Sequence, residues 1–395
     1  MATEKTAAIG LALSGGGARA MAFHLGCLRA LHDRGLLDRV NVISTVSGGS
    51  VIGAGWAYTS EPFDAFDRRM VAVLRRGLQW DILREVVASP EGLKIAATLL
   101  VSGTLSFALW IAAFAARGVQ RWFRLPISGM AAACDQVAER LPVWGSLTTA
   151  LEAALKRSLF GEVRVDEVKR AGLVTVINAC DLRTGTAFRF GSEVSGGWRY
   201  GAVVGKALTV AKAVAASAAF PILLPPLVET FEFDKKGTRS EETVLLTDGG
   251  VYDNLGVAVL EPGRADDSLF KYQVRYIISL NAGAGQLDGH DRHYWWFGRV
   301  ASSFGAVHRK AQDAAYRRLH QYAEAGDIDG FGMVYLGQQD QRLPCCPPDL
   351  VPRSRVRDYP TNFAPMSEGD LEALTKRGEQ LTHIIVERYL HKLKA

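Results

Sequence analysis

The sequence predicts an α/β fold: a three-layer sandwich with a mostly parallel central sheet. Three observations predict it. Short apolar runs without polar alternation recur along the 395 residues, among them "AAIGLAL", "VNVISTV", "LVTVINA" and "YQVRYIISLNA". Such runs read as strands buried on both faces. Stretches with helical spacing separate them, and glycine-rich turns join strand to helix at "SGGGA" and "VSGGS".

The first run, residues 7–13, breaks at Ser14-Gly15-Gly16-Gly17 and opens the helical stretch "MAFHLGCLRALHDRG", which ends at Gly35. The second, Val42 to Val46, meets Ser47-Gly48-Gly49 and continues as "SVIGAGWAY", so Ser47 stands at the apex of a strand–turn–helix elbow. Further strands are expected at 173–179, 186–190, 242–247 and 272–282, and helices at 148–159, 206–217, 300–325 and 368–392. These spans suggest a main domain over 5–285, with a mainly helical C-terminal extension, 286–395, packed on it. No internal repeat or low-complexity tract interrupts them.

Composition is that of a globular protein, 48% hydrophobic and 22% charged. The 46 Lys and Arg against 41 Asp and Glu leave a net charge of +5. That excess weakly favours an anionic membrane surface, and it is too small and scattered to argue for nucleic acid. The N-terminus carries Glu4 and no long apolar core, so a signal peptide is not expected. Cys27, Cys134, Cys180, Cys345 and Cys346 make an odd count without CxxC. A disulfide framework or zinc ribbon is therefore disfavoured, and a reducing, cytoplasmic setting fits better. The vicinal pair in "LPCCPPD" reads as an exposed loop.

One segment departs from the α/β grammar. Ile95 to Ala116 gives 22 uncharged positions between Lys94 and the basic residues Arg117, Arg121 and Arg124, within a helical insertion at about 75–145. Roughly 20 apolar residues suffice to span a bilayer. Three readings stay open: a membrane-docking or lid element, a buried helical cap, and a true span.

The chemistry gathers at the glycine turns. Gly15 to Ala20 formally satisfies G-x-G-x-x-A, the dinucleotide fingerprint, but the second strand ends without the acid that would hold a ribose. It presents Ser47 instead. Backbone N–H groups at a helix start also stabilise an oxyanion. A serine needs a base, and "LLTDGGVYDNLGV" offers Asp248 directly after a strand, with glycines that allow close approach.

This set resembles the patatin-like phospholipase family, relatives of the lipase core of cytosolic phospholipases. "SGGGARA" is similar to its oxyanion loop, "TVSGGS" to its G-x-S-x-G elbow, "AASAAFPILLPP" to its alanine/serine–proline stretch, and "DGGVYDNLGV" to its D-G-[GA] motif. "INACDLRTGTAFRF" and "YPTNFAPMSEGDLEALTKRGEQL" resemble bacterial members less diagnostically. The resemblance implies a Ser47–Asp248 dyad without histidine, an oxyanion hole from Gly15, Gly16 and Gly17, and substrate contacts from Arg19 and Gly48. Arg19 would orient a phosphate or brace the loop. It implies serine-dependent hydrolysis of phospholipid or lysophospholipid acyl esters near a membrane surface, with no cofactor or metal. Thr45 departs from the pattern at the first elbow glycine, where flanking glycines relieve crowding.

Other readings remain. His24 reads as a structural histidine, and Asp253-Asn254 as turn and cap residues. His290 and His293 follow Asp248 in the order of a Ser-Asp-His triad, and with Asp288 they make a weak metal pattern. Tyr294 to Phe297 form an aromatic run that suits a membrane interface or a packed cluster. An inactive relative serving as a lipid-binding or membrane scaffold needs none of the serine chemistry.

Overall fold

Ten strands form one sheet in the computed structural model of the chain, which describes residues 8–123, 128–221, 223–263, 269–286, 289 and 295–393. They are β1 (Ile9–Leu13), β2 (Val40–Val46), β3 (Val174–Asp181), β4 (Thr186–Gly191), β5 (Ser195–Gly197), β6 (Gly201–Val204), β7 (Leu227–Lys235), β8 (Thr238–Asp248), β9 (Tyr276–Asn281) and β10 (Gly330–Tyr335). Their order across the sheet is β10-β9-β1-β2-β3-β4-β5-β6-β7-β8.

Parallel pairing is confined to the half that runs from β10 through β9, β1 and β2 to β3. From β3 onward every pair is antiparallel. The residue patterns explain the division. β1 and β9 are buried at every position, as strands covered by helices on both faces must be. β7, "LVETFEFDK", alternates polar and apolar residues and keeps one face toward water. Its alternation, and the short β5, β6 and β10, were not among the expected strands.

Register brings three strand ends together. Leu13 pairs with Thr45 and Val46 with Asn178, while β8 folds back so that Asp248 lies opposite Ala179. The turns after β1, β2 and β8 therefore open at one edge of the sheet.

The helices are α1 (Gly17–Asp33), α2 (Gly48–Ala57), α3 (Phe63–Arg76), α4 (Gln79–Ala88), α5 (Pro90–Ala97), α6 (Thr104–Phe123), α7 (Ser128–Glu139), α8 (Leu147–Leu155), α9 (Val210–Ser217), α10 (Gly250–Asp253), α11 (Trp296–Ala325), α12 (Arg353–Val356) and α13 (Glu368–Tyr389). α1, α2, α9 and α13 share the larger apolar core on one face of the sheet. Ala315 and Leu319 of α11 join residues 255–260 in the core on the other face. Residues after 286 thus supply two core helices and the edge strand β10. The five cysteines are unpaired, with Cys345 and Cys346 exposed.

The apolar insertion forms one unbroken helix, Pro90–Trp122, in which a π-helical stretch (Thr98–Gly103) links α5 to α6. Only 17% of its most apolar window is buried, which overturns the buried-cap reading. Leu99, Leu100, Phe107, Trp110 and Phe114 all face outward.

Candidate active site

Ser47 follows β2 and precedes α2 with φ 53° and ψ −121°. Among the described residues, it and Lys236 are the only non-glycine residues with positive φ. Such a conformation costs about 1–3 kcal/mol and persists only where the surroundings enforce it. The enforcement is visible. The Ser47 N–H donates to the Ser217 hydroxyl at 2.9 Å, and the Ser50 and Ser217 hydroxyls lie 2.9 Å apart. The end of α9 also holds the base: the Asp248 N–H donates to Ala219 O at 3.0 Å, and the Gly249 N–H to Ser217 O at 3.2 Å. One short segment therefore fixes elbow and carboxylate in a common frame.

Close packing on the helix side depends on missing side chains. A Cβ on Gly48 would lie 2.2 Å from Gly17 O, and one on Gly49 would lie 2.6 Å from Leu13 O. The strand side carries Thr45, and the helix makes room for it. A Cβ on Gly53 would meet the Thr45 methyl at 2.4 Å, so the glycine expected in the strand is matched by one in α2.

Asp248 is buried, and burial pushes its carboxyl up to about 6. Hydrogen bonds from the Ser47 hydroxyl and the Gly250 N–H, the latter at 2.7 Å, pull it back toward ionisation. The Ser47 hydroxyl and Asp248 are thus neighbours in a site where the carboxylate is desolvated and more basic than usual.

The glycine loop lies beside them. Gly15 donates its N–H to Asn254 O at 3.1 Å, which removes it from the donors expected for an oxyanion. Among the described residues the N–H groups of Gly16 and Gly17 meet no backbone acceptor, and they stand at the start of α1. Gly48, expected to contact substrate, packs directly against the backbone of Gly17. Arg19 lines the cavity. Its Nη1 donates to Tyr359 O at 2.8 Å, and its buried Nε has no partner among the described residues. Burial also pulls the guanidinium below its ordinary pKa. It ties the start of α1 to the backbone at Tyr359 and stands on the cavity wall.

That cavity has a volume of about 480 Å3. Apolar wall is contributed by Ile82, Phe220, Leu223, Phe304 and Phe363, and polar wall by Arg19, His308, Arg309, Gln312 and Tyr335. Several of these lay outside the sequence reading. Asn362 accepts the Ala18 N–H at 2.7 Å and presses on Gly17, so "YPTNF" clamps the glycine loop. Its resemblance to bacterial relatives was the only signal. His308 and Arg309 come from α11, which gave no site signal.

The remaining candidates separate. His24 is fully buried, 3.2 Å from Leu280 O, and burial pushes it down to about 3, as suits a structural role. Asp253 accepts the Leu255 and Ala258 N–H groups, a turn-capping part. Asp288, His290 and His293 lie outside the described residues.

A family model described as patatin-like phospholipase matches residues 11–260, well over half the chain. The chain belongs to the patatin-like phospholipase family. No curated protein matches it. Human GIVD cytosolic phospholipase A2 is similar in structure at 13% identity and a TM-score of 0.50, covering 98% of this chain and 62% of its own length. VipD from Legionella pneumophila is similar at 14% identity and a TM-score of 0.38, covering 96% of this chain and 66% of its own. At such identity the human enzyme supports the patatin-like fold alone. This chain spans less than two thirds of that enzyme.

Proposed function

We propose that this patatin-like protein hydrolyses carboxylic esters of phospholipids or lysophospholipids at a membrane surface, through Ser47 and Asp248. The observation that carries the reading is Ser47 held at φ 53° beside a buried carboxyl raised to about 6. A base with that pKa is ionised at neutral pH yet basic enough to take a proton during attack.

The Ser47 Oγ attacks the ester carbonyl while its proton passes to Asp248. The carbonyl oxygen becomes an oxyanion that receives the N–H groups of Gly16 and Gly17. As the acyl-enzyme forms, Asp248 returns the proton to the departing alcohol oxygen. Water then gives a proton to Asp248 and adds to the acyl carbon, and Ser47 leaves with that proton. The apolar wall accommodates an acyl chain, and Arg19 with Arg309 offers positive charge to a phosphodiester. Family membership supports a lipid ester substrate.

The test is fatty-acid release from phospholipid vesicles by the native chain, Ser47→Ala and Asp248→Asn. Both variants are expected to stay folded and lose about 10⁴-fold or more in rate. For the native chain, kcat/KM should rise tenfold per pH unit up to about 6 and flatten above, because the base works only when deprotonated. Retained activity in folded Ser47→Ala would overturn the reading.

A further inference from the structure

We infer that the insertion is a monotopic membrane anchor: α6 lies in the bilayer interface with one aromatic stripe immersed in lipid, and does not cross. The inference rests on the proposed lipid substrate only for its choice of occupant; the geometry stands without it.

The stripe is Leu100, Phe107, Trp110, Ile111, Phe114 and Trp122, spaced along one side of the helix and each half or more exposed except Ile111 at 49%. The Phe107, Trp110 and Phe114 rings stack on one another in sequence, at 6.1 and 5.8 Å between centroids. The opposite side is occupied. Ala113 and Ala116 are buried against Ala131 of α7, and Arg117 pairs with Asp135 of the same helix. The stripe has no partner among the described residues.

A span is excluded by the return path. The Ser102 hydroxyl donates to Pro142 O at 2.6 Å, and the Trp144 and Gly145 N–H groups donate to the Thr98 hydroxyl. The chain therefore comes back to the start of the apolar stretch, and both ends of the insertion lie on one side. To span, it would have to cross twice. α7 has 12 residues, about 18 Å of helix, against a hydrocarbon core of about 30 Å, and it carries Asp135. A helix immersed along one face meets neither obstacle.

Two further features commit the occupant to lipid. The stripe ends in Trp122, 85% exposed, beside exposed Arg121, an aromatic-plus-cationic pairing that suits the headgroup level. The stripe is also continuous in the chain with the cavity wall. α4 carries Ile82 on that wall and leads through Ser89 into α5, and Leu223 and Phe304 on the same wall are exposed by 58% and 38%. Docking α6 in the interface would hold the cavity beside the layer that contains the acyl chains.

The experiment compares the full chain with Phe107→Ser/Trp110→Ser/Phe114→Ser, using phosphatidylcholine–phosphatidylglycerol vesicles and a short-chain soluble ester. The native chain should co-sediment with vesicles. The triple variant should bind at least 10-fold more weakly and lose vesicle hydrolysis in step, while cleaving the soluble ester within twofold of native. The difference in fluorescence between the native chain and Trp110→Phe on vesicles gives a depth probe: the Trp110 signal should be quenched more strongly by lipids brominated near the headgroup than near the chain end. Unchanged vesicle binding by the triple variant would overturn the inference, as would deeper quenching, which marks a span. A native dimer in buffer that the triple variant cannot form would assign the stripe to a second copy instead. Native binding through the stripe with no hydrolysis of either substrate would remove the enzymatic reading and leave the anchor standing.

Discussion

Two strongly apolar regions of this molecule are opposite in placement. Around the site, β1 and β9 bury every residue, and α2 is buried along its whole length. In the insertion, the helix from Pro90 to Trp122 buries 17% of its most apolar window. The first region spends its hydrophobicity on a core that forces Ser47 into a strained backbone. The second leaves large side chains in contact with whatever surrounds the protein. Hydrophobic content alone does not distinguish core from docking surface; packing partners do.

The contrast can be broken by truncation on each side. Ile278→Ala in β9 is expected to lower the unfolding free energy by about 3 kcal/mol, the usual range for a fully buried isoleucine. Phe107→Ala, at a site 63% exposed, should change it by less than about 0.5 kcal/mol in lipid-free buffer. Denaturant melts of both variants decide, and equal losses would erase the distinction.

A smaller effect sharpens the claim that the site is packed to contact. Gly53→Ala should destabilise by roughly 2 kcal/mol by pressing on the Thr45 methyl. Thr45→Gly added to it should recover most of that loss, a coupling measurable in a double-mutant cycle. Additive losses would mean that the two positions do not share the space.

The buried charge gives a comparable shift of opposite sign. Burial raises Asp248 from 3.8 to about 6, so ionisation in the folded state works against stability. Asp248→Asn should therefore stabilise by roughly 2 kcal/mol at pH 8 while abolishing activity. That gain is full above pH 6 and fades as the pH falls through 6 toward 3.8, where the native carboxyl is protonated in both states. Thermal melts at pH 8 and pH 4.5 test it; an equal difference at both would refute the assignment. The smallest effect is Ser47→Gly, expected to stabilise by about 1 kcal/mol as the positive φ ceases to be strained.

Much of the site was legible because it is local. The turn after β1, the elbow at Ser47 and the Asp248 turn are each encoded by a strand followed at once by glycine; parallel pairing brings the first two to one edge, whereas Asp248 arrives there on β8, antiparallel to β3. The elbow's supports were not legible in the same way. Ser217 meets Ser47 across 170 positions, and Asn362 reaches the glycine loop from near the other end of the chain. Arg377, fully buried and bonded to the carbonyls of Leu336, Gln338 and Val351, ties together the segments that precede that approach without any local signature. Gly15 shows the same limit. Its place in the motif suggested an oxyanion donor, and only the approach of Asn254 revealed that its N–H is already engaged.

The sequence by itself determined the α/β class, the family, the two glycine turns, and Ser47 and Asp248 as the pair to examine, because strand runs and glycine turns act over a few residues. Tertiary structure decided the antiparallel half of the sheet, the α9 frame that strains Ser47 beside Asp248, and the outward face of α6. Those depend on which surfaces meet across hundreds of residues, and burial is a property of the assembled chain.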